Sequence, residues 1–356
     1  MFGKFYDYLI KTRFVLLGVL VFVCSIGLFV RQSLFGFDSY AWKQLVCTGW
    51  HATLNTNPLA PYFFELMPCN LLFFKMVMFV SLLLSVWFIF LIVKKFFEER
   101  TAWFSIFLLL SLSPMLLFEF GKFENELLAY PFIVFAIYSL LNKKWFAGLT
   151  GLIASLVFWG WPYYFTFFGG NVLEQQLFSG LLPLFGLIFV VPLIFLCKDK
   201  KILVGGLLSV AMFFWNAKFF IFLMPFMALG LGNLIEILRN REQLQNFVFI
   251  LAFFLLFGFN VAFILAQPTN LEHEIIFEGV NYAKDNNLSL YNDWSFGYWI
   301  LDKGLDTGVY GGGTDTNYFS LKKPFVAITS KDLSGMGCSL INQSSTLTRS
   351  IKLWKC

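Results

Sequence analysis

Hydrophobic and polar positions fall in long blocks along this chain. Apolar runs long enough to cross roughly 30 Å of hydrocarbon alternate with short polar segments, which predicts about nine membrane-spanning helices. Their approximate bounds are 14–30, 70–93, 102–118, 127–141, 146–161, 178–197, 202–217, 219–237 and 246–266. Beyond residue 266, Asn, Asp, Ser, Thr and Gly replace Phe and Leu, so we divide the chain into a membrane domain (1–266) and a C-terminal domain (267–356).

The C-terminal domain has the pattern of a small α/β fold. Residues 271–285 are predicted to be helical, and 288–291, 307–310 and 325–329 are predicted to be short strands separated by turns.

The composition excludes a soluble protein, because hydrophobic residues make up 58% of the chain and charged residues only 13%. The first apolar run follows three basic residues, as in a signal peptide. No small-residue cleavage site comes after it, so it is predicted to remain as the first span. We therefore predict a polytopic α-helical membrane protein with a small C-terminal α/β domain.

The basic residues predict the orientation of the chain. They cluster on one side of the predicted spans, which the positive-inside rule makes the cytoplasmic side. The clusters are Lys4/Lys11/Arg13, Lys94/Lys95/Arg100, Lys143/Lys144, Lys198/Lys200/Lys201 and Arg239/Arg241. The N-terminus is then cytoplasmic and the C-terminal domain extracytoplasmic. The net charge of +5 mostly reflects this bias, and we predict no nucleic-acid partner.

Four cysteines lie in segments that this orientation places outside. Cys47 and Cys69 share the first outer loop, and Cys338 and Cys356 share the C-terminal domain. An oxidising compartment permits a disulfide within each pair. Free thiols remain an equal alternative.

A short polar turn, GKFENELLAY at 121–130, separates two strongly apolar segments and puts Glu124 and Glu126 two residues apart. Carboxylates beside a bilayer are costly, and two at this spacing can converge on one divalent cation. They can also simply cap the N-terminus of the next helix, where acidic side chains are favoured.

Among the other charged residues in the predicted outer loops or at the outer membrane edge, three are candidates for a functional role. Asp38, in the first loop, is either a functional carboxylate or an Asx-turn residue. Glu174 is the only charge in an aromatic-rich loop, whose rings form an interfacial belt or the wall of a sugar or lipid groove. Lys218 lies between two apolar runs, where it can hold a lipid phosphate or merely end one span.

The sequence YNDWSFGYWI at 291–300 is the most unusual piece of the C-terminal domain. Its aromatic residues around a glycine, at a junction of strand and helix, form either a core plug or a recognition pocket.

Taken in order, these motifs resemble those of the catalytic subunit of oligosaccharyltransferase, a membrane glycosyltransferase of the GT-C fold. The similar stretches are DSY (38–40), GKFENE (121–126), WGWPY (159–163), NVLEQQ (171–176), Lys218 before a Pro-containing span, and DWSFGYWI (293–300) with GGG (311–313). DWSFGYWI is similar to the family's WWDYGYWI motif.

The resemblance implies an inverting, metal-dependent enzyme. It would move a glycan from a polyprenyl (dolichyl)-phosphate or -diphosphate donor to the Asn of an Asn-x-Ser/Thr polypeptide. Asp38, Glu124 and Glu126 would hold Mn²⁺ or Mg²⁺, which neutralises charge on the leaving phosphate. Asp38 and Glu174 would orient the acceptor amide.

The resemblance also implies binding residues for both substrates. Lys218 would bind the donor phosphate, and the acceptor-binding set would be Asp293, Trp294, Ser295 and Gly297. Asp293 replaces the family's first Trp, and Ser295 replaces its Asp, so Ser295 offers a hydroxyl where the family has a stronger carboxylate acceptor. The chain also has fewer spans than the family.

Two other functions fit the same sequence. One is a different GT-C transferase with a lipid-linked or hydroxyl acceptor. The other is a non-catalytic glycan flippase or assembly scaffold, whose function would survive neutralisation of the carboxylates.

Overall fold

The structure is a computed structural model, and it divides into two compact units. It describes residues 16–27, 37–49, 60–112, 120, 123, 125–160, 191–196, 199–239, 241–265, 270–293, 296–305, 307, 316–345 and 350–356. The helical unit comprises Met1–Gln32, Leu54–Phe63 and Asn70–Ile264. The α/β unit comprises Ser33–Thr53, Phe64–Cys69 and Leu265–Cys356. Part of the first predicted loop therefore belongs to the same unit as the C-terminal segment.

Helices dominate the first unit, and a four-stranded sheet lies in the second. Residues 16–27 are helical, with a turn at Ser25. The helices that follow are α1 (Phe37–Thr48), α2 (Ala60–Glu65), α3 (Leu71–Phe96), α4 (Glu99–Leu112), α5 (Asn125–Leu141), α6 (Trp145–Trp159), α7 (Lys200–Trp215), α8 (Phe220–Leu238), α9 (Glu242–Leu265), α10 (Asn270–Asp285) and α11 (Gly297–Asp302). The strands are β1 (Ser289–Asn292), β2 (Phe325–Thr329), β3 (Ser339–Ser345) and β4 (Ser350–Lys355).

Two helices among the described residues are both long and apolar enough to cross a bilayer. They are α3, with a mean hydropathy of 2.8, and α8, with 1.9. Shorter apolar helical stretches are found in α5, α6, α7 and α9. These helices fall on predicted spans, whereas most of the predicted span 178–197 lies outside the described residues.

Large apolar side chains cover the outer faces of several helices in the helical unit. Examples are Trp145, Phe146 and Leu149 on α6, Val204 and Leu208 on α7, and Phe247, Ile250, Phe254 and Phe257 on α9. A soluble monomer rarely exposes so many large apolar side chains. Hydrocarbon is the environment in which such a surface is stable, so this unit belongs in a membrane.

Helices α3, α5 and α6 form the framework of the candidate site. α3 and α5 run parallel, since Ser81 Oγ donates to the Leu127 carbonyl and the Phe88 ring lies 5.2 Å from that of Phe135, seven and eight residues further along. α6 returns antiparallel to α5. The parallel register places the start of α5 beside the first half of α3.

The α/β unit is built on a mixed sheet of strand order β1-β2-β4-β3. β1 pairs parallel with β2, while β4 pairs antiparallel with both β2 and β3. α10 packs on the sheet through Ile276, Val280 and Ala283, which are buried. Gly279 permits the close approach, because a Cβ there would lie 2.8 Å from Leu353 Cδ1.

The predicted helix 271–285 and the predicted strands 288–291 and 325–329 correspond to α10, β1 and β2. β3 and β4 are not among the predicted strands. Of the predicted strand 307–310, residues 308–310 lie outside the described residues. Both cysteine pairs form disulfides, Cys47–Cys69 and Cys338–Cys356.

Candidate active site

A partly buried ion pair lies at the start of α5. Glu126 Oε1 accepts a hydrogen bond from Lys218 Nζ, and the two side chains are 4% and 31% exposed. Glu126 is thus enclosed by protein, whereas the Lys218 side chain is partly exposed. The two residues are far apart in the sequence, and the fold brings them together inside the helical unit.

The backbone on both sides of this pair is held by asparagine side chains. Asn125 Nδ2 donates to the Phe158 carbonyl at 3.0 Å, which ties the first turn of α5 to the end of α6. Asn216, also buried, accepts the Lys218 N–H at 3.0 Å in an Asx-type turn. This turn ends α7 and sets Lys218 in a short 3-10 helix, Ala217–Phe219, just before α8.

Aromatic side chains that neighbour the ion pair in the sequence contact one another. Tyr130 lies one helical turn beyond Glu126 and meets Trp159 edge to face, with ring centroids 5.7 Å apart. Trp159 in turn lies 5.9 Å from Phe219, the residue after Lys218. Trp159 belongs to the WGWPY stretch, so two of the sequence motifs are adjacent here.

An apolar groove runs between α3, α5 and α6. Its volume is about 640 Å³, and it is lined by residues such as Val77, Phe132 and Ala154. Leu128, two residues after Glu126, is part of the lining. The groove can hold a hydrocarbon chain within the membrane part of the protein.

The remaining predicted metal and acceptor-amide residues are not all described. Asp38 lies in the first turn of α1, in the α/β unit, and its side chain is outside the described part. Glu124 and Glu174 lie outside the described residues altogether. No group of three or more His, Cys, Asp or Glu side chains lies together among the described residues. The predicted Mn²⁺ or Mg²⁺ site therefore stays a prediction.

Asp293 is the best-defined residue of the predicted acceptor-binding motif. It is buried, and its Oδ1 accepts from Tyr318 Oη at 3.0 Å. Its Oδ2 accepts from Thr329 Oγ1 at 2.7 Å and from the N–H and Oγ of Ser330 at 2.9 and 3.1 Å. These bonds give Asp293 a structural role at the ends of β1 and β2. Its contact with an acceptor stays a prediction.

The rest of this motif is partly described. Gly297 is buried and begins α11. Trp294 and Ser295 lie outside the described residues.

Sequence reasoning missed one charged residue near this site. Lys75 is buried in the second turn of α3, and its neighbour Phe74 packs against Phe123 of the GKFENE turn with ring centroids 4.4 Å apart. A lysine inside a long apolar run was the available signal, since buried cations in membrane helices are rare and face functional groups.

The fold is that of an integral membrane protein of the GT-C class. Two solved structures of ArnT from Cupriavidus metallidurans, a GT-C membrane glycosyltransferase, share the fold. The one bound to undecaprenyl phosphate is 12% identical over 97% of this chain and 97% of that chain, with a TM-score of 0.50. The apo structure is 13% identical over 99% and 98%, with the same TM-score of 0.50.

No protein-family model and no curated protein matches this sequence. The predicted GT-C fold is confirmed by the ArnT structures, whereas membership of the oligosaccharyltransferase family is not tested by them.

Proposed function

We propose that this protein is a glycosyltransferase that takes its sugar from a polyprenyl-phosphate-linked donor. The observation that carries the proposal is the Glu126–Lys218 pair, found in a GT-C fold next to aromatic residues that contact one another. Ionisable side chains inside a membrane protein are costly, and they usually mark functional sites. The ArnT structure that shares this fold holds undecaprenyl phosphate, which is the type of lipid proposed here.

Lys218 is the residue proposed to bind the donor phosphate. An ammonium group has three N–H donors, so Lys218, whose side chain is partly exposed, can bind a phosphate oxygen while it keeps its bond to Glu126. When the acceptor attacks the anomeric carbon, the bond from that carbon to the phosphate oxygen breaks and negative charge grows on the leaving polyprenyl phosphate. A fixed cation at this position stabilises that charge.

The apolar groove supports a lipid-linked donor. Leu128 in its lining is two residues from Glu126, so the groove and the ion pair meet the same helix, α5, on different faces. A polyprenyl chain is hydrocarbon throughout, and its burial against such a lining contributes roughly 25 cal/mol per Å² of apolar surface removed from water.

The finer form of the proposal is transfer to the Asn of an Asn-x-Ser/Thr polypeptide. It rests on the sequence motifs, with Asp38 and Glu174 orienting the acceptor amide and Ser295 contacting the acceptor hydroxyl. Transfer to a lipid-linked or hydroxyl acceptor by another GT-C enzyme is the alternative that the assay must separate.

The metal part of the proposal rests on Asp38 and Glu124, whose side chains are not described. Glu126 already bonds Lys218, and the described residues alone do not form a cation site. We therefore derive no step through Mn²⁺ or Mg²⁺. Addition of EDTA to the transfer assay tests this part by itself.

The experiment uses purified full-length protein in liposomes. Radiolabelled polyprenyl-phosphate hexose and polyprenyl-diphosphate oligosaccharide are each offered with an Asn-x-Thr peptide or with a polyprenyl-linked acceptor. We expect transfer from at least one donor, and we expect Lys218→Met to lower kcat by roughly 100-fold or more, the size seen when a fixed transition-state donor is lost.

The matched control is Lys94→Met, because Lys94 also pairs with a glutamate, Glu99, at 3.0 Å but at a more exposed site. It should transfer at the rate of the unmodified protein. Sugar transfer by Lys218→Met at that same rate contradicts the proposed role of Lys218. If no sugar is transferred from either donor, the flippase or scaffold is the better hypothesis.

A further inference from the structure

The helix that carries Asp38 is tied to the helix that follows the DWSFG motif. Lys43, on α1, places its Nζ 2.6 Å from Asp302 Oδ1 at the end of α11. Gln44 Nε2 donates to the same oxygen at 3.0 Å. The Asp302 side chain is 11% exposed and that of Lys43 is 29% exposed, so water screens this pair less than it screens an open surface pair.

Asp302 occupies a position at which its own helix disfavours an aspartate. It is the last residue of α11, where the helix dipole favours cations and disfavours a carboxylate. Aspartate is also a weak helix former. A residue that breaks a local preference is usually retained for an interaction elsewhere, and here that interaction is with α1.

The other contacts of α1 fix it to a different segment. The Trp42 ring lies 4.3 Å from that of Phe64, and Cys47 is bonded to Cys69. Both contacts tie α1 to residues 64–69. Among the polar contacts described for α1, those that reach α11 are made with Asp302.

We propose that Asp302 is a positioning residue, which sets α1, and with it Asp38, relative to the DWSFG motif through Lys43 and Gln44. This rests on the proposed function, in which Asp38 takes part in sugar transfer. Asp302 itself touches neither donor nor acceptor in this proposal, so its effect should fall on turnover and not on donor binding.

The test compares Asp302→Asn and Lys43→Met with a charge-reversed double variant, Lys43→Asp with Asp302→Lys. Each full-length protein is assayed for transfer from polyprenyl-phosphate hexose to an Asn-x-Thr peptide. Hydrogen exchange of the α1 backbone amides is measured on the same samples. The exchange rate reports the local stability of α1 without any substrate.

We expect the single variants to lower kcat by about 10- to 100-fold, because displacement of a catalytic group by about 1 Å costs this much. The KM for the donor should stay unchanged, and α1 should exchange faster. The double variant should restore both kcat and slow exchange, since a lysine suits the end of α11 and the Gln44 amide can turn its oxygen toward it.

The control is the double variant Lys94→Met with Glu99→Gln, which removes a pair of similar length in the helical unit. It should change neither kcat nor exchange in α1. Unchanged kcat or unchanged exchange in Asp302→Asn overturns the positioning role, and so does a charge-reversed variant that restores neither.

Failure of the proposed function gives a different pattern. If Asp38→Asn transfers sugar at the unmodified rate, Asp38 has no catalytic part, whatever Asp302 does. If Asp38→Asn is inactive while Asp302→Asn is fully active, the proposed function stands and the positioning role falls.

Discussion

At the scale of single residues, the fold supplies polar partners for two buried carboxylates of the sequence motifs. Glu126 meets Lys218, and Asp293 receives four hydrogen bonds from Tyr318, Thr329 and Ser330. Buried carboxylates require such partners, because an unpaired buried charge is very costly. A functional motif can therefore also hold the structure together, and the two roles have to be separated by experiment.

We predict that Asp293→Asn destabilises the protein by about 3 kcal/mol. The amide keeps one acceptor oxygen but turns an NH₂ group toward hydroxyl and N–H donors, so charge-assisted bonds worth about 1.5–3 kcal/mol each are lost or weakened. Thermal unfolding in detergent, followed by tryptophan fluorescence, measures the change.

The control for this prediction is Asp332→Asn. Asp332 accepts the Ser334 N–H at 2.9 Å but is exposed, so its loss should change stability little. Equal stability of the Asp293→Asn variant and the unmodified protein contradicts the structural role of Asp293. A raised acceptor KM without loss of stability then favours the recognition role.

The sequence could name the charged residues of the site but not their pairings. Glu126 and Lys218 were both singled out, for a metal and for a phosphate, and nothing local indicates that they bond to each other across 92 positions. Lys75 was overlooked because the apolar run around it dominates its surroundings. Pairing of distant residues depends on how whole helices pack, which local composition does not specify.

At the scale of elements, small residues let α6 lie close to α5. Gly148, Gly151 and Ser155 are buried on one face of α6 at helical spacing. A Cβ at Gly151 would lie 3.0 Å from the Phe132 carbonyl oxygen and 3.1 Å from the Ala136 Cβ. Close approach through small residues is a main source of helix association in membranes, where no hydrophobic drive holds helices together.

We predict that Gly151→Val forces α6 away from α5 and lowers stability by roughly 1–3 kcal/mol, the usual cost of overpacking. It should also weaken sugar transfer, because Asn125 ties the first turn of α5 to the end of α6. Resistance to unfolding in detergent is the measurement.

The matched control is Gly258→Ala on α9, where an added Cβ would meet nothing within 4 Å. This variant should be at least as stable as the unmodified protein, since alanine favours helix more than glycine does. A Gly151→Val variant that matches it in stability and activity would show that the close packing is not needed.

The elements themselves were largely predictable. Apolar runs located the membrane helices because each run is long and carries few charges. β2 was evident because FVAIT is a short run rich in β-branched residues, and all five are buried in the structure. The hairpin of β3 and β4 was missed since β3, SLINQSS, is mostly polar and carries an irregularity in its pairing between Leu340 and Asn342. A polar edge strand gives little hydrophobic signal, and only pairing with β4 reveals it.

At the scale of the whole molecule, two independent features agree on orientation. Basic residues cluster at one side of the predicted spans, which the positive-inside rule makes cytoplasmic. Both disulfides lie in the α/β unit, and disulfides persist in oxidising, extracytoplasmic compartments. Charge bias and disulfide chemistry do not depend on each other, so their agreement supports an outer location for the α/β unit.

We predict that Asn317 is reached from outside and Lys144 from the cytoplasm. Both residues are exposed, and the first lies in the α/β unit while the second lies in a basic loop between α5 and α6. Single cysteines are introduced by Asn317→Cys and Lys144→Cys, and intact cells are treated with a membrane-impermeant maleimide. The protein without an added cysteine gives the background from its native thiols.

Labelling of Asn317→Cys in intact cells, and of Lys144→Cys only after permeabilisation, is the expected result. The reverse pattern would put the α/β unit in the cytoplasm, where glutathione and thioredoxin keep thiols reduced. Two disulfides would then be out of place, and the predicted outer position of Lys218, the proposed phosphate-binding residue, would be wrong. The labelling experiment therefore decides whether the α/β unit lies on the extracytoplasmic side, where its disulfides persist and where the proposed reaction would take place.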